Sequence, residues 1–481
     1  MKLKRLLVNI FIIIISTGSS IAQVTAPSLT GRAGGESGGS FTLAQLRDSA
    51  LQNNIAIRTG RLKIAAAKEQ RREAFTKYFP NISGTTLTFK ANKEMVEMEM
   101  NPSEFVSPEL KAALGEMTPM LSQILPMEAL ASLGNPISMA MMKSGTIAGV
   151  NALQPIFAGG QIVIGNKLAR IGEEASELQL QLSEKDVEAQ VEQYYWQLVS
   201  MEEKTRTLNV VDTMLAQILH DVQTAVRAGV AMNNDLLQVQ LRQNEIASQR
   251  LKLNNGRALV KMLLAQFCGI GQGIEIEMPD TQGIPLPIEA PLYEREGSGV
   301  SPDRGVSLLP EYQLLEKNVE AAKLQRKMEM AKNLPSIAVG AGYNYHNILD
   351  KDRHFGMVFA TVNVPVTDWW GGGHAIRRKR FDEQAAREQL IDNAQLLQIR
   401  IQKAANDITE AESQLTLTQR SIEQAKENLR IQRNTYRAGT STMTDLLQAQ
   451  LLLQQAQDKH TDAFIALQNA RTAYRHATGV I

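Results

Sequence analysis

Cysteine is nearly absent from this sequence. The 481 residues contain one, Cys268, so no intramolecular disulfide can form and stability must come from packing and assembly. Aromatic residues are scarce at 5%, which is little for a set of packed globules. Neither sign of charge dominates: 51 Lys and Arg against 50 Asp and Glu give no argument for nucleic acid or an acidic partner. After the first residues no apolar run reaches the roughly 20 residues that a membrane-spanning helix needs. A chain of this kind that crosses a membrane must do so with strands. No arrangement of nucleophile, base and orienting group is present. Gly371-Gly372-Gly373 lacks the lysine and hydroxyl spacing of a phosphate loop and reads as a strand-to-helix hinge. These absences predict a protein that is not an enzyme and needs no cofactor.

The opening residues carry a compartment signal. Lys2, Lys4 and Arg5 precede the apolar run Leu6 to Ile15, and Ser20-Ile21-Ala22 follows, which is the order of a secretory leader over 1–22. Residues 23–40, rich in Gly and Ser, read as a flexible lead-in.

The strongest signal is an internal repeat. Arg227-Ala228-Gly229, five residues, then Asp235-Leu236-Leu237-Gln238-Val239-Gln240-Leu241 returns as Arg437-Ala438-Gly439, five residues, then Asp445-Leu446-Leu447-Gln448-Ala449-Gln450-Leu451. Ala65 to Pro80 similarly echoes Glu320 to Pro335. Two repeats over 41–269 and 306–481 follow, joined by a linker over 270–305.

Each repeat contains a long helical hairpin. Ala404, Ile408, Ala411, Leu415, Thr418, Ile422, Ala425, Leu429, Gln432 and Tyr436 are spaced by alternating threes and fours, a sustained heptad seam. Leu208, Leu215, Leu219, Val222 and Val226 give the seam of the first repeat. From Gln161 to about Val226 no proline intervenes, which predicts a helix roughly 100 Å long that must pack as a coiled coil. The Arg-Ala-Gly elements end the long helices, with glycine suited to a left-handed terminator and arginine to the negative dipole end. The tips fall at 227–235 and 437–445. Asn233, Asn234, Ser441, Thr442 and Thr444 offer caps for the returning helices.

Strand candidates lie between the helices. Ile337, Val339, Ala341, Tyr343 and Tyr345 alternate with small or polar residues over 336–346, the pattern of a transmembrane strand. A second strand is expected over 355–365, and the first repeat places its pair over 81–90 and 146–155, flanking an insertion over 91–145. Four strands cannot close a barrel, and an open sheet edge in lipid is costly, so several chains must share one.

This order of helix, β-hairpin, long helix, Arg-Ala-Gly turn and Asp-Leu-Leu helix, used twice, resembles the TolC-type outer-membrane efflux proteins. Tyr436-Arg437-Ala438-Gly439-Thr440-Ser441 and Asp445-Leu446-Leu447-Gln448-Ala449-Gln450 carry the resemblance most specifically, and Pro155-Ile156-Phe157-Ala158-Gly159-Gly160 supports it further. It implies a mainly helical homotrimer with four strands per chain in a 12-stranded barrel in outer-membrane lipid. The coiled-coil helices would form a periplasmic tunnel, with a periplasmic adaptor and an inner-membrane transporter as partners. The expected role is a passive exit duct for efflux or type I secretion. An adaptor-like protein or a structural coiled-coil envelope protein is the alternative, and each would lack the duplicated tips with transmembrane-type strands.

The resemblance also nominates residues. Asp235, Asp445 and Tyr436 match positions that constrict or latch the tip, while Gln448 stands where a second acid is common and Ser441 where a basic partner is. Helix-start chemistry is the preferred explanation of both aspartates, while packing explains Tyr436 equally well. Ala228-Gly229-Val230 and Ala438-Gly439-Thr440 resemble the adaptor-contact motif. Outside the tips, no metal site is expected. His346, Asp350, Asp352 and His354 read as a polar turn. The insertion holds nine of the nineteen methionines, among them Met95, Met98, Met100, Met139, Met141 and Met142, and loop packing is preferred over soft-metal binding. Trp369-Trp370 suit a membrane-interface belt.

Overall fold

The computed structural model describes residues 40–93, 96–100, 107, 137–141, 144–271, 275–279, 302–347, 352–365 and 368–479. The leader over 1–22, almost all of the lead-in, much of the linker, and Asp350 lie outside the described residues. In chain order the elements are α1 (Leu43–Asn53), α2 (Ile55–Thr76), β1 (Asn81–Lys90), β2 (Val96–Met100), β3 (Ile137–Met141) and β4 (Ser144–Ala158). Then come α3 (Gln161–Arg227), α4 (Asn233–Cys268), α5 (Pro302–Ser307), α6 (Pro310–Lys332), β5 (Ser336–His346), β6 (Arg353–Asn363), α7 (Asp368–Arg437) and α8 (Met443–Thr478). No described helix is long and apolar enough to cross a membrane.

Two compact units cut across the two repeats. One draws on residues up to Ile55, Asp186–Glu294 and Ala405–Tyr474; the other on Ala56–Lys185, Arg295–Ala404 and Arg475–Ile481.

The first unit is a helical assembly whose core comes from four segments. Leu208, Val211, Leu215, Ile218 and Val222 of α3 are buried with Val239 and Ile246 of α4, Leu429 of α7, and Met443, Leu446 and Ala449 of α8. The α3 steps alternate three and four, which is the knobs-into-holes spacing of a coiled coil. This corrects the expected seam: Val211 and Ile218 occupy it, and Leu219 only flanks it. On α7, Ala404, Ala411, Leu415, Thr418, Ile422 and Leu429 are buried in the anticipated rhythm. The start of α1 is fixed by a capping box. Gln45 N–H donates to Thr42 Oγ1 at 3.3 Å and Thr42 N–H donates to Gln45 Oε1 at 2.9 Å. Phe41 forms a one-residue parallel bridge with Ile276. Tyr195 Oη donates to the Glu277 carbonyl at 3.0 Å, and Arg47 and Thr472 both reach the buried carboxylate of Glu192.

The second unit contains an antiparallel sheet in the order β1-β4-β5-β6. Register places Ile82, Ala152, Ala341 and Val358 in one cross-strand row. Val150 and Tyr343 sit opposite one another in the next row on that face. Ile82, Val150, Tyr343 and Val358 are all more than half exposed, so this apolar face is uncovered within one chain. The opposite face is mixed, with Ser83, Asn151, Gly342 and Met357 in one row.

Two local features differ from expectation. Gly371-Gly372-Gly373 lies inside α7 and is not a hinge before it. A Cβ at Gly372 would sit 2.1 Å from Asn333 Oδ1, so the glycine permits close approach between the end of α6 and the start of α7. The left-handed junction occurs in the first repeat instead, at Gly159 (φ 61°) and Gly160 (φ 85°), after a register shift between Pro155 and Phe157. The insertion also contains a second, two-stranded sheet, β2 with β3. Its strands are only five residues each, too short for an alternation to stand out in the sequence.

Candidate functional site: the two helical tips

The repeated Arg-Ala-Gly sequences fold into nearly identical helix ends. At the first, Gly229 N–H donates to Val226 O at 3.0 Å and Val230 N–H to Ala225 O at 2.9 Å. At the second, Gly439 N–H donates to Tyr436 O at 3.0 Å and Thr440 N–H to Thr435 O at 3.0 Å. This paired pattern is a Schellman motif, which satisfies carbonyls that a helix end leaves open. It requires a left-handed residue, and Gly229 and Gly439 supply it at φ 76° and 75°. No atom lies within 4 Å of where a Cβ would stand on either glycine. The glycines are thus demanded by backbone conformation, while the space beside them stays open. Ala228, Gly229, Val230, Ala438, Gly439 and Thr440 are all exposed, Val230 to 79%.

The two arginines of the motif make different contacts. Arg227 Nε donates to the Gln223 carbonyl at 3.3 Å. Arg437 reaches Asp221 at 3.7 Å, with both side chains exposed, a pair of small energetic value.

The two returning helices start differently. Asp445 Oδ2 accepts from Thr442 N–H at 3.1 Å, from Thr442 Oγ1 at 2.7 Å and from Ser441 Oγ at 3.3 Å. Asp445 N–H in turn lies 3.2 Å from Thr442 Oγ1, which completes a capping box. These hydrogen bonds, the Thr442 side chain's foremost, hold the Asp445 carboxyl below the ordinary carboxylate range. Ser441 Oγ also donates to Gln432 Oε1 at 2.9 Å, which ties the turn to the end of α7. In the first tip Met232 occupies the cap position and has no side-chain acceptor. Asn233 and Asn234 are the first residues of α4 and not its caps, because the helix begins one residue earlier than their chemistry suggested. Asp235 Oδ2 accepts only a long 3.4 Å bond from Met232 N–H.

Tyr436 packs half-buried against the four-helix core. Burial pushes its hydroxyl pKa up, and the nearby carboxylates of Asp235 and Asp221 add to that. Tyr436 and Asp235 are therefore brought together, one from each tip. Gln448 is exposed on α8. Its repeat counterpart Gln238 accepts a hydrogen bond from Thr444 Oγ1 at 3.1 Å, a second link between the tips.

Sequence reasoning missed a buried polar network near the tips. Arg242 on α4 is 8% exposed and donates from Nε to Gln450 Oε1 at 3.2 Å and from Nη2 to Gln454 Oε1 at 2.8 Å. Its Nη1 meets Glu245 at 2.7 Å. Gln454 Nε2 extends the chain to Gln249 Oε1 at 2.9 Å. The signal was available in the spacing: Val239, Arg242 and Ile246 are separated by three and four, so Arg242 falls on the seam.

Comparison with known proteins places this geometry. Residues 310–480 match the family model described as outer membrane efflux protein. No curated protein matches by sequence. Among solved structures, the outer membrane protein VceC of Vibrio cholerae is 16% identical with a TM-score of 0.67, over 91% of this chain and 96% of that one. The CmeC outer membrane channel of Campylobacter jejuni is 15% identical with a TM-score of 0.67, over 91% of this chain and 85% of that one. The open-state MtrE outer membrane channel of Neisseria gonorrhoeae is 15% identical with a TM-score of 0.66, over 91% and 88%. At such identities the likeness is one of fold, and it extends well beyond the segment that the family model covers.

Proposed function

We propose, from the premise that residues 310–480 are an outer membrane efflux protein domain, that this chain forms a homotrimeric channel-tunnel in the outer membrane. The observation that carries the reading is the four-stranded sheet, whose outer edges on β1 and β6 meet no further strand among the described residues. Open edges in lipid leave amides unpaired at several kcal/mol each, so the edges must meet those of other copies. In an alternating antiparallel order β1 and β6 run in opposite directions, so β6 of one copy can pair antiparallel with β1 of the next. Three copies give 12 strands, a number that closes. The apolar row through Ile82 and Val358 then meets lipid, and the mixed face through Ser83 and Asn151 faces the lumen.

In this reading the helices continue the barrel into the periplasm, and the exposed Ala-Gly tips dock a periplasmic adaptor that couples the duct to an inner-membrane transporter. Efflux or type I secretion proceeds through a passive conduit, and energy comes from the transporter. The leader over 1–22 would deliver the chain to this compartment, and the repeats over 41–269 and 306–481 would each supply one hairpin of strands and one of helices. The test is assembly: extraction from outer-membrane fractions should require detergent and yield a trimer by mass measurement. A monodisperse monomer, soluble without detergent, would overturn the reading.

A further inference from the structure

On the mixed face of the four-stranded sheet, three large side chains each stand directly opposite a glycine. The register pairs Asn344 with Gly149, Asn151 with Gly342 and Phe359 with Gly340. Each side chain lies down over its glycine. A Cβ added to Gly340 would stand 2.7 Å from Phe359 Cε2 and 2.8 Å from Phe359 Cε1. One on Gly149 would be 2.9 Å from Asn344 Cγ, and one on Gly342 would be 3.0 Å from Asn151 Cγ. Carbons pack at about 3.5–4.0 Å, so an added methyl group and these side chains cannot share the space. Burial agrees: Gly340 is the one buried residue of β5, and Phe359 is the one residue of β6 that is not exposed.

The apolar face of the same sheet behaves otherwise. Gly356 is directly opposite Tyr343, yet Tyr343 Cδ2 would be 3.9 Å from a Cβ there. Gly84 is opposite Val150, and no side chain of the opposite strand comes within 4 Å of its Cβ position. Tyr343 and Val150 stand away from their glycines and are 62% and 57% exposed. Covering a bare glycine with a neighbour's ring stabilises sheets in general. A general need would not choose one face.

We propose that the laid-down side chains of Asn151, Asn344 and Phe359 set the bore of the barrel lumen and adapt it to bulky solutes. The inference rests on the reading of the mixed face as the lumen wall. Strand side chains ordinarily stand roughly perpendicular to their sheet, and in a closed barrel upright side chains fill the interior. Laid over glycines, these three leave a hollow of about 710 Å³ against the sheet, which they line together with Ser83, Met357 and Thr361. In a trimer the clearance is gained three times around one axis. Small ions need no such clearance, whereas a large solute does. The surface it meets is two amide groups and the face of one ring, uncharged throughout. A Cβ on any of the three glycines would tip the opposite side chain upright and narrow the passage.

Thr361→Cys puts a thiol in the hollow, and the native Cys268 is fully buried and stays silent. Intact cells carrying the full chain in their outer membrane are treated with maleimide–polyethylene glycols of increasing size, and the largest that reacts is read. Gly340→Ala should lower that size. Adding Phe359→Ala to Gly340→Ala should restore it, while Phe359→Ala alone should change it little, because a ring already lying flat blocks nothing. Gly356→Ala, on the apolar face, should have no effect. Gly149→Ala with Asn344→Ala repeats the cycle at an independent pair, should Gly340→Ala fail to reach the membrane. An unchanged size in the glycine variants, or a narrowing that loss of the opposite side chain does not reverse, would overturn the proposal and leave the duct standing. Labelling of Thr361→Cys by membrane-soluble maleimide alone would place this face against lipid, and both the lumen reading and the proposal would fall.

Discussion

Arg242 Nη2 donates to Gln454 Oε1 at 2.8 Å between α4 and α8, the helices that return from the two tips. Arg242 and Gln454 are 8% and 4% exposed, and Gln450, which takes the second bond from Arg242, is fully buried. Glu245 on its own helix partners the Arg242 charge, and the two glutamine oxygens from α8 fix the axial register of α4 against α8, since sliding either helix by one turn removes both acceptors. The apolar residues of the same core, Val239, Ile246, Leu446 and Ala449, carry no such directional bond.

Replacing Arg242 by Ala should strand those oxygens, each at about 1–3 kcal/mol. The thermal midpoint of the detergent-solubilised protein should fall. Arg242→Met with Gln450→Leu and Gln454→Leu should recover much of the loss, because an apolar set of similar volume is a fair replacement for a buried polar one. A midpoint unchanged in Arg242→Ala would show that the network contributes nothing.

The exposed tips make the docking idea testable at two glycines. At φ 75° and 76°, a residue with a Cβ strains the turn by about 1–2 kcal/mol, and the open space around both positions adds no clash within the chain. Gly439→Phe should therefore leave folding and membrane abundance near normal. Export and crosslinking to the adaptor should fall, and further in combination with Gly229→Phe. Full export by the double variant at normal abundance would reduce the tips to helix ends.

The constriction reading separates from the capping reading by conductance. Asp445 accepts three bonds from Thr442 and Ser441 on Oδ2, whereas Asp235 accepts one long bond and lies close enough to Tyr436 to raise its hydroxyl pKa. If the acids line a pore, Asp235→Asn should relieve block by multivalent cations more than Asp445→Asn does. Tyr436→Phe should raise the open fraction. Unchanged single-channel records in all three variants would leave only the capping and packing roles.

How far the sequence could be read followed the period of each signal. The heptad of α7 from Ala404 to Leu429 and the alternation of Ile337 to Tyr345 repeat often enough that one wrong position does not mislead. The Arg-Ala-Gly turns were legible because a left-handed residue has few substitutes. Features that depend on a distant partner were not legible. Nothing local announces that Gly372 makes room for Asn333, or that Gln450 and Gln454 receive an arginine from 208 and 212 residues away. Asn233 and Asn234 misled because cap chemistry is common to helix starts and first turns alike. The β2–β3 pair was hidden because each strand has only five residues and both are rich in Met, which is not a typical strand residue.

The single cysteine offers a direct probe of packing. Cys268 is fully buried at the end of α4, and burial pushes its thiol pKa up to about 12. The reactive thiolate is then scarce at neutral pH, and reagent has no access. Native protein should resist alkylation by iodoacetamide over hours and become fully labelled in denaturant. Rapid native labelling would mean that the contact of α4 with α1 around Ser49, which donates to the Cys268 carbonyl at 3.1 Å, opens readily.

Acid should weaken the α7–α8 pair through one histidine. His460 Nδ1 lies 3.2 Å from the buried Thr418 Oγ1, and burial pushes its pKa below the ordinary 6.5. A depressed imidazole pKa means that the unfolded chain takes up a proton at a higher pH than the folded one. Stability from this group is therefore fully present above about pH 6.5 and is lost as pH falls from there to the folded-state value. One carboxyl nearby acts with the opposite sign. Burial lifts the Asp458 carboxyl above its usual range, so it favours the folded chain as pH falls, and Asp462 is paired with Lys204 at 2.6 Å. The depressed Asp445 carboxyl matters only at lower pH, near and below the ordinary carboxylate range. His460→Gln can retain a hydrogen bond to Thr418 and cannot titrate. Thermal midpoints between pH 7.5 and 5.0 should fall more steeply in wild type than in His460→Gln, with the two curves diverging from about pH 6.5 downward. Parallel curves would show that His460 takes its proton in the folded chain as easily as in the unfolded one, and that the seam at Thr418 is open to water.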